Sequence, residues 1–125
     1  EKEDIREHNM HNEYFSISSN SLRKLQRFKR SQKPIICIGT TSVRVLETLA
    51  LNNFEKNSGW TDLFIYPPYN FRMVEGLLTN FHLPKSTLLI MVSAFYGREK
   101  LLEVYRTAVE DRYRFFSFGD CMLIL

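Results

Sequence analysis

At 125 residues, 44% of them hydrophobic and only five glycine, the chain has the size of one globular domain with a real core and no room for two. Seventeen Lys and Arg against fourteen Asp and Glu leave a net charge of +3, which permits a nucleic-acid partner without demanding one. The longest apolar run, residues 88–96 broken by Ser93, is too short for a membrane span, and the acidic start Glu1-Lys-Glu-Asp4 is unlike a signal peptide. Cys37 and Cys121 both lie in apolar strand-like runs, so they read as small core residues in a reducing, cytoplasmic compartment rather than as a disulfide framework. The chain opens on Glu1 with no initiator Met, which reads as a fragment or processed piece.

Residues 1–17 are polar and lack a helical or strand period until Tyr14, Phe15 and Ile17, so an extended, partly mobile lead-in is expected. Within it His8, His11 and Glu13 have a spacing that could hold a metal only if a further ligand came from elsewhere; a surface or substrate-contact role is the stronger reading. Ser19 or Asn20 can cap a helix over residues 21–31. Leu22, Leu25 and Phe28 fall on one face of it, and Arg23, Arg27 and Arg30 on another. With Lys24, Lys29 and Lys33 those arginines form the one concentrated basic surface, attractive to RNA, although most such faces are simply solvated.

Residues 34–38 form a short apolar run after Pro34, the pattern of a strand buried on both faces. Gly39, Thr40, Thr41 and Ser42 then lead into a helix over residues 43–53, whose polar stripe is Arg44, Glu47 and Thr48. A glycine that admits close approach and hydroxyls at a helix start suit an anion, yet ordinary caps use the same residues. A third strand is expected at residues 63–66, ended by Pro67-Pro68. Alternation sends Phe64 and Tyr66 to one side, where they could stack on a nucleobase or simply pack.

The next unit repeats the strand-loop-helix plan. Residues 72–78 read as a strand, Asn80, His82 and Lys85 occupy the loop, and Ser86 and Thr87 open an apolar helix that Gly97 ends. Unpaired backbone N–H groups, a positive helix end and a cation at one point favour an anionic ligand. A helix over residues 98–112 would bury Leu101, Leu102, Tyr105, Ala108 and Val109, and residues 121–125 form a last strand. From residue 34 the order β-α-β-β-α-α-β argues an α/β fold with a mainly parallel sheet flanked by helices. Ligands then bind beyond the carboxyl ends of strands, where residues 39–42, 80–87 and the 117–120 turn could converge.

The runs Ile38-Gly-Thr-Thr-Ser-Val-Arg-Val-Leu-Glu47, Thr61-Asp-Leu-Phe-Ile-Tyr-Pro67, Leu77-Leu-Thr-Asn-Phe-His-Leu-Pro-Lys-Ser-Thr-Leu-Leu89, Val92-Ser-Ala-Phe95 and Tyr113-Arg-Phe-Phe-Ser-Phe-Gly-Asp120, in this order, resemble the S-adenosylmethionine:tRNA ribosyltransferase-isomerases of queuosine biosynthesis. The resemblance covers nearly the whole chain but only the C-terminal portion of that two-domain family, without its N-terminal part and inserted β-barrel domain. It implies a lead-in at residues 1–17 and an α/β domain over 18–125, inactive alone and able to expose a sheet edge that the missing part would cover. The implied reaction transfers the ribosyl group of S-adenosylmethionine to the 7-aminomethyl-7-deazaguanine wobble base of tRNA. Rearrangement then gives epoxyqueuosine with release of adenine and methionine, S-adenosylmethionine being a co-substrate and no cofactor or metal being needed.

Residue roles rest on those motifs together with the chemistry. His82 is the candidate base or acid, with a loop-ordering hydrogen bond as its alternative, and Asp62 and Glu47 complete the catalytic candidates. Lys85, Ser86 and Thr87 would hold a phosphate or the methionine carboxylate, as would Thr40, Thr41 and Arg44, unless Arg44 pairs with Glu47. Asp62 and Asp120 suit ribose hydroxyls or the purine, or turn formation; Phe64, Tyr66 and Asn80 join the substrate side; Arg23, Arg27, Arg30 and Arg114 suit RNA phosphate. Cys121 stands where the family more often has a small residue such as Ala. A plain RNA-binding module and a phosphosugar- or nucleotide-binding α/β enzyme are the rival classes.

Overall fold

The structure is a computed structural model and describes residues 10–82 and 86–125. His8 of the lead-in and Lys85 of the second loop lie outside the described residues. Strand β1 (Glu13–Ser16) leads into α1 (Ser19–Arg30); β2 (Ile36–Ile38) into α2 (Thr40–Leu51); then come β3 (Ser58–Thr61), β4 (Gly76–Asn80), α3 (Thr87–Tyr96), α4 (Arg98–Glu110) and β5 (Cys121–Ile124). A 3-10 turn at Phe116–Phe118 precedes β5.

The fold is α/β, and its main sheet is mixed rather than mainly parallel. In the order β2-β4-β5, β4 runs parallel to β2 and antiparallel to β5. The reason is the connection. Two successive helices, α3 and α4, turn about Gly97 and bring the chain back to the end of β4, so Cys121 pairs with Asn80. Gly97 has φ 96°, a conformation that favours glycine, and its N–H closes α3 on the Ser93 carbonyl at 2.9 Å.

Two strands lie elsewhere than the sequence pattern suggests. Residues 63–66 keep their alternation, with Ile65 buried and Phe64 and Tyr66 half-buried, but form no ladder; the paired strand is β3, just upstream. It pairs antiparallel with β1, matching Tyr14 to Trp60 and Phe15 to Gly59, so the end of the lead-in is an ordered part of the fold. The strand expected at residues 72–78 begins only at Gly76. The N–H groups of Arg72, Met73 and Val74 are taken by a carboxylate and cannot enter a ladder.

The core lies between one face of the sheet and α2, α3 and α4. Cys37, Leu77, Met122 and Ile124 point inward from the strands and meet Val43, Met91, Val92, Leu101 and Tyr105. In α4, Leu101, Tyr105 and Ala108 form the buried stripe, while Leu102 and Val109, expected in the core, face outward a quarter-turn round. Helix α1 starts two residues earlier than expected because Ser18 accepts the Ser21 N–H at 3.0 Å and is the cap. It buries no residue completely.

Candidate functional site

The carboxyl ends of β2 and β4 lie side by side. The Gly39 N–H donates to the Leu78 carbonyl at 2.9 Å, carrying the parallel ladder one residue past β2. Gly39 then turns into α2 at φ 88° with open space where a side chain would stand, and no side chain caps the helix. Thr40 is nearly buried and Thr41 exposed at that start; Ser42 Oγ is bound back to the Ile38 carbonyl at 3.1 Å.

At the end of β4, Asn80 is exposed and its side-chain amide donates to the Asp120 carbonyl at 3.2 Å, which ties the 3-10 turn to the same end of the sheet. The Phe116 N–H reinforces this by donating to the Phe81 carbonyl at 3.0 Å. Asp120 also accepts from the Arg114 N–H, and Arg114 Nε stands 3.6 Å from its carboxylate. Asp120 therefore orders the turn, while the Arg114 side chain remains largely exposed to solvent.

His82 is half-buried two residues beyond β4. Its Nε2 lies 2.9 Å from the Thr79 hydroxyl, and its backbone N–H donates to the Tyr105 hydroxyl at 2.7 Å. Burial holds the imidazole below its usual pKa of 6.5, so the ring is neutral at pH 7. Ser86 spends its hydroxyl on the Leu89 N–H at 3.1 Å as the cap of α3, with Thr87 as the first helical residue. Thr40, Thr41, Asn80, His82, Arg114 and Asp120 thus belong to one end of the sheet, while Ser86 and Thr87 open the following helix.

The other expected site residues are engaged elsewhere or exposed. Arg44 is 3% exposed. Its Nε donates to the Leu63 carbonyl at 3.1 Å, and its Nη2 to the carbonyls of His11 at 2.8 Å and Thr61 at 3.2 Å. Its Nη1 stands 3.5 Å from the Glu13 carboxylate. This corrects the anion-binding role for Arg44 and the pairing with Glu47. The guanidinium docks the lead-in onto α2 and the 61–63 segment.

Glu47 is fully buried and accepts from Tyr69 Oη at 3.1 Å and from the N–H groups of Arg72 at 2.9 Å, Met73 at 2.9 Å and Val74 at 3.1 Å. With both oxygens engaged and the side chain buried, Glu47 anchors Tyr69 and the 72–74 backbone, a structural use of the carboxylate expected above to be catalytic. Burial, followed by the Glu47 charge, pushes the Tyr69 hydroxyl far up and the Cys37 thiol up to about 11. Asp62 is exposed beside this anchor region, and Phe64 packs on Tyr66 with ring centroids 5.1 Å apart. Arg23, Arg27 and Arg30 are all exposed along α1. Among the described residues no group of His, Cys, Asp and Glu is placed to hold a metal, and no helix is long and apolar enough to cross a membrane.

The sequence reading did not single out Thr79 and placed Tyr105 only in the core, not beside His82. The i, i+3 spacing of Thr79 and His82 was available as a signal, whereas nothing local announces Tyr105, which reaches His82 from 23 residues away.

A mixed α/β sheet with polar groups gathered at the ends of two adjacent parallel strands places the chain among α/β domains, a class in which ligands bind beyond strand ends. The chain belongs to the family described as "Queuosine biosynthesis protein", whose family model matches residues 1–124. It is 56% identical over 124 residues to the S-adenosylmethionine:tRNA ribosyltransferase-isomerase of Carboxydothermus hydrogenoformans, covering 98% of this chain and 37% of that protein. The enzyme of the same name from Halothermothrix orenii is 49% identical over 125 residues, again covering 98% and 37%. The crystal structure of S-adenosylmethionine tRNA ribosyltransferase from Thermotoga maritima superposes with a TM-score of 0.81 at 50% identity, over 90% of this chain and 40% of that one. The chain therefore spans little more than a third of the length of these relatives.

Proposed function

We propose that these residues supply one wall of the active site of a cytoplasmic S-adenosylmethionine:tRNA ribosyltransferase-isomerase. The enzyme would transfer the ribosyl group to the 7-aminomethyl-7-deazaguanine wobble base of tRNA and isomerise it to epoxyqueuosine, releasing adenine and methionine. The observation that carries this reading is the near-complete match of the chain to relatives of that name at about half identity.

The chemistry asks for a base first. The sulfonium of S-adenosylmethionine acidifies the neighbouring C5′ hydrogen, and a neutral group with a free lone pair must take the proton. His82 suits this: its imidazole is neutral at pH 7. In the tautomer whose Nε2–H donates to Thr79 Oγ1, 2.9 Å away, Nδ1 keeps the lone pair. The open start of α2 at Thr40 and Thr41 offers backbone N–H groups to the methionine carboxylate, and Asn80 stands on the adjoining strand to meet a ribose hydroxyl. Lys85, Ser86 and Thr87 would add a second anion-binding helix start. Arg114 and the exposed Arg23, Arg27 and Arg30 would meet tRNA phosphates. The other wall would come from polypeptide that the longer relatives carry, so the 125 residues alone would not turn over.

The test uses the 125 residues grafted in place of the matching segment of the Carboxydothermus hydrogenoformans relative. Adenine release from S-adenosylmethionine that requires tRNA bearing the precursor base is the expected result. A folded graft that binds tRNA but releases no adenine would favour an RNA-binding role instead.

A further inference from the structure

Residues 113–120 bring the chain from α4 to β5 and are tied to the end of β4. The Asn80 amide donates to the Asp120 carbonyl at 3.2 Å, and the Phe116 N–H donates to the Phe81 carbonyl at 3.0 Å. Phe115 stacks on Phe81 with ring centroids 5.0 Å apart. Residues 80 and 81 lead directly into His82, so a side chain carried on this segment is fixed relative to the proposed base.

The segment carries Arg114. One carboxylate oxygen of Asp120 accepts the Arg114 backbone N–H and stands 3.6 Å from its Nε, so a single side chain grips the arginine at both ends. Gly119, at φ 131°, lies against the guanidinium: a β-carbon there would come within 3.1 Å of Nη2 and 3.2 Å of Cζ. The Arg114 side chain is nonetheless 68% exposed, and among the described residues Asp120 is its only polar partner. An exposed ion pair adds little stability by itself. What this one does is restrict the rotamers of a cation whose terminal N–H groups stay open.

We propose that Asp120, with Gly119, is a positioning residue that holds the Arg114 guanidinium at the end of the sheet as a fork for one phosphodiester of bound tRNA. Paired guanidinium N–H groups match the two non-bridging oxygens of a phosphodiester, and ordering the fork beforehand lowers the entropy lost on binding. S-adenosylmethionine contains no phosphate, and its one carboxylate is assigned above to the open start of α2, which leaves the nucleic acid as the source of the anion. The inference rests on tRNA being the substrate and not on His82 being the base.

The test measures tRNA affinity in four versions of the Carboxydothermus hydrogenoformans relative carrying the 125 residues: parent, Arg114→Ala, Asp120→Asn and the double variant. Arg114→Ala is expected to weaken tRNA binding about tenfold and to lower the slope of log Kd against log salt by about one. Asp120→Asn keeps an acceptor for the Arg114 N–H and removes a negative charge, which on charge alone would tighten RNA binding. Positioning predicts instead a weakening of about fivefold, and none in the Arg114→Ala background.

Equal losses from Asp120→Asn in both backgrounds, tighter binding by Asp120→Asn, or unchanged affinity in Arg114→Ala would overturn the proposal. So would a raised KM for S-adenosylmethionine with tRNA affinity intact, which would make Arg114 the partner of the methionine carboxylate. Should Asp120→Asn not fold, Gly119→Ala takes its place. Its backbone strain is common to both backgrounds, so a loss of tRNA affinity confined to chains with Arg114 supports the proposal, and an equal loss in both refutes it. A parent that binds no tRNA would remove the proposal together with the functional reading, whereas tRNA binding without adenine release would sink only the catalytic assignment.

Discussion

Arg44 and Glu47 sit three residues apart on α2 and do not pair; each is buried against a different stretch of backbone. The guanidinium collects three carbonyls from His11, Thr61 and Leu63, and the carboxylate collects three N–H groups from residues 72–74. One helix thereby fastens the lead-in on one side and the approach to β4 on the other.

Replacing Glu47 by Gln keeps shape but turns an amide NH₂ toward backbone N–H groups that need an acceptor. Donors then face donors in a buried site, at a cost of about 3 kcal/mol. Urea unfolding of Glu47→Gln should show a matching drop in midpoint. A change within experimental scatter would mean that the loop finds other acceptors.

Arg44→Lys retains the charge and loses the fork. A single ammonium cannot reach three carbonyls on two segments, so a loss of about 2 kcal/mol is expected. Amide exchange should quicken locally at β1, whose partner strand β3 is held by the same guanidinium. Uniform quickening across the chain would contradict this local role.

Tyr105→Phe removes the acceptor for the His82 N–H. The expected cost is about 1–2 kcal/mol by urea unfolding, because the N–H is left in a half-buried place with no partner. Thr79→Val should cost less in stability and act instead on the His82 ring, visible as a changed imidazole NMR signal.

The His82 imidazole titrates below 6.5 in the folded chain and near 6.5 when unfolded. Between those two values the unfolded chain binds more protons, so stability rises with pH through that window and this group adds no slope above 6.5. Falling pH therefore removes stability from 6.5 downward. His82→Asn should flatten that part of the profile, and an unchanged slope would place the effect on other groups.

The two thiols should differ sharply. Cys37 is buried with its pKa pushed up to about 11, whereas Cys121 is exposed. Ellman's reagent at pH 8 should label one thiol rapidly and the second only on unfolding.

Much of the chain is legible from local pattern. Apolar period places α2, α3 and α4, with Ser86 capping α3 and α2 starting at Thr40 rather than residue 43, and the apolar run after Pro34 places β2, because each signal lies within the element it describes. What fails is what depends on distant partners. Alternation at residues 63–66 reports which side chains face inward, not which backbone pairs, and the strand went to Ser58–Thr61 because β1 is there to receive it. Polar residues on α2 carry no mark that separates a substrate contact from an anchor. Only the fold shows Arg44 and Glu47 closed off and His82 left half-open between Thr79 and Tyr105.

The most direct test of the proposed site is adenine release from S-adenosylmethionine by the grafted enzyme with precursor-base tRNA, comparing the parent with His82→Ala at pH 7. General-base catalysis by His82 predicts a fall of about a hundredfold or more in the rate at saturating substrates, with tRNA binding retained. Release at the parental rate would contradict it, leaving His82 as a residue that only orders the loop after β4.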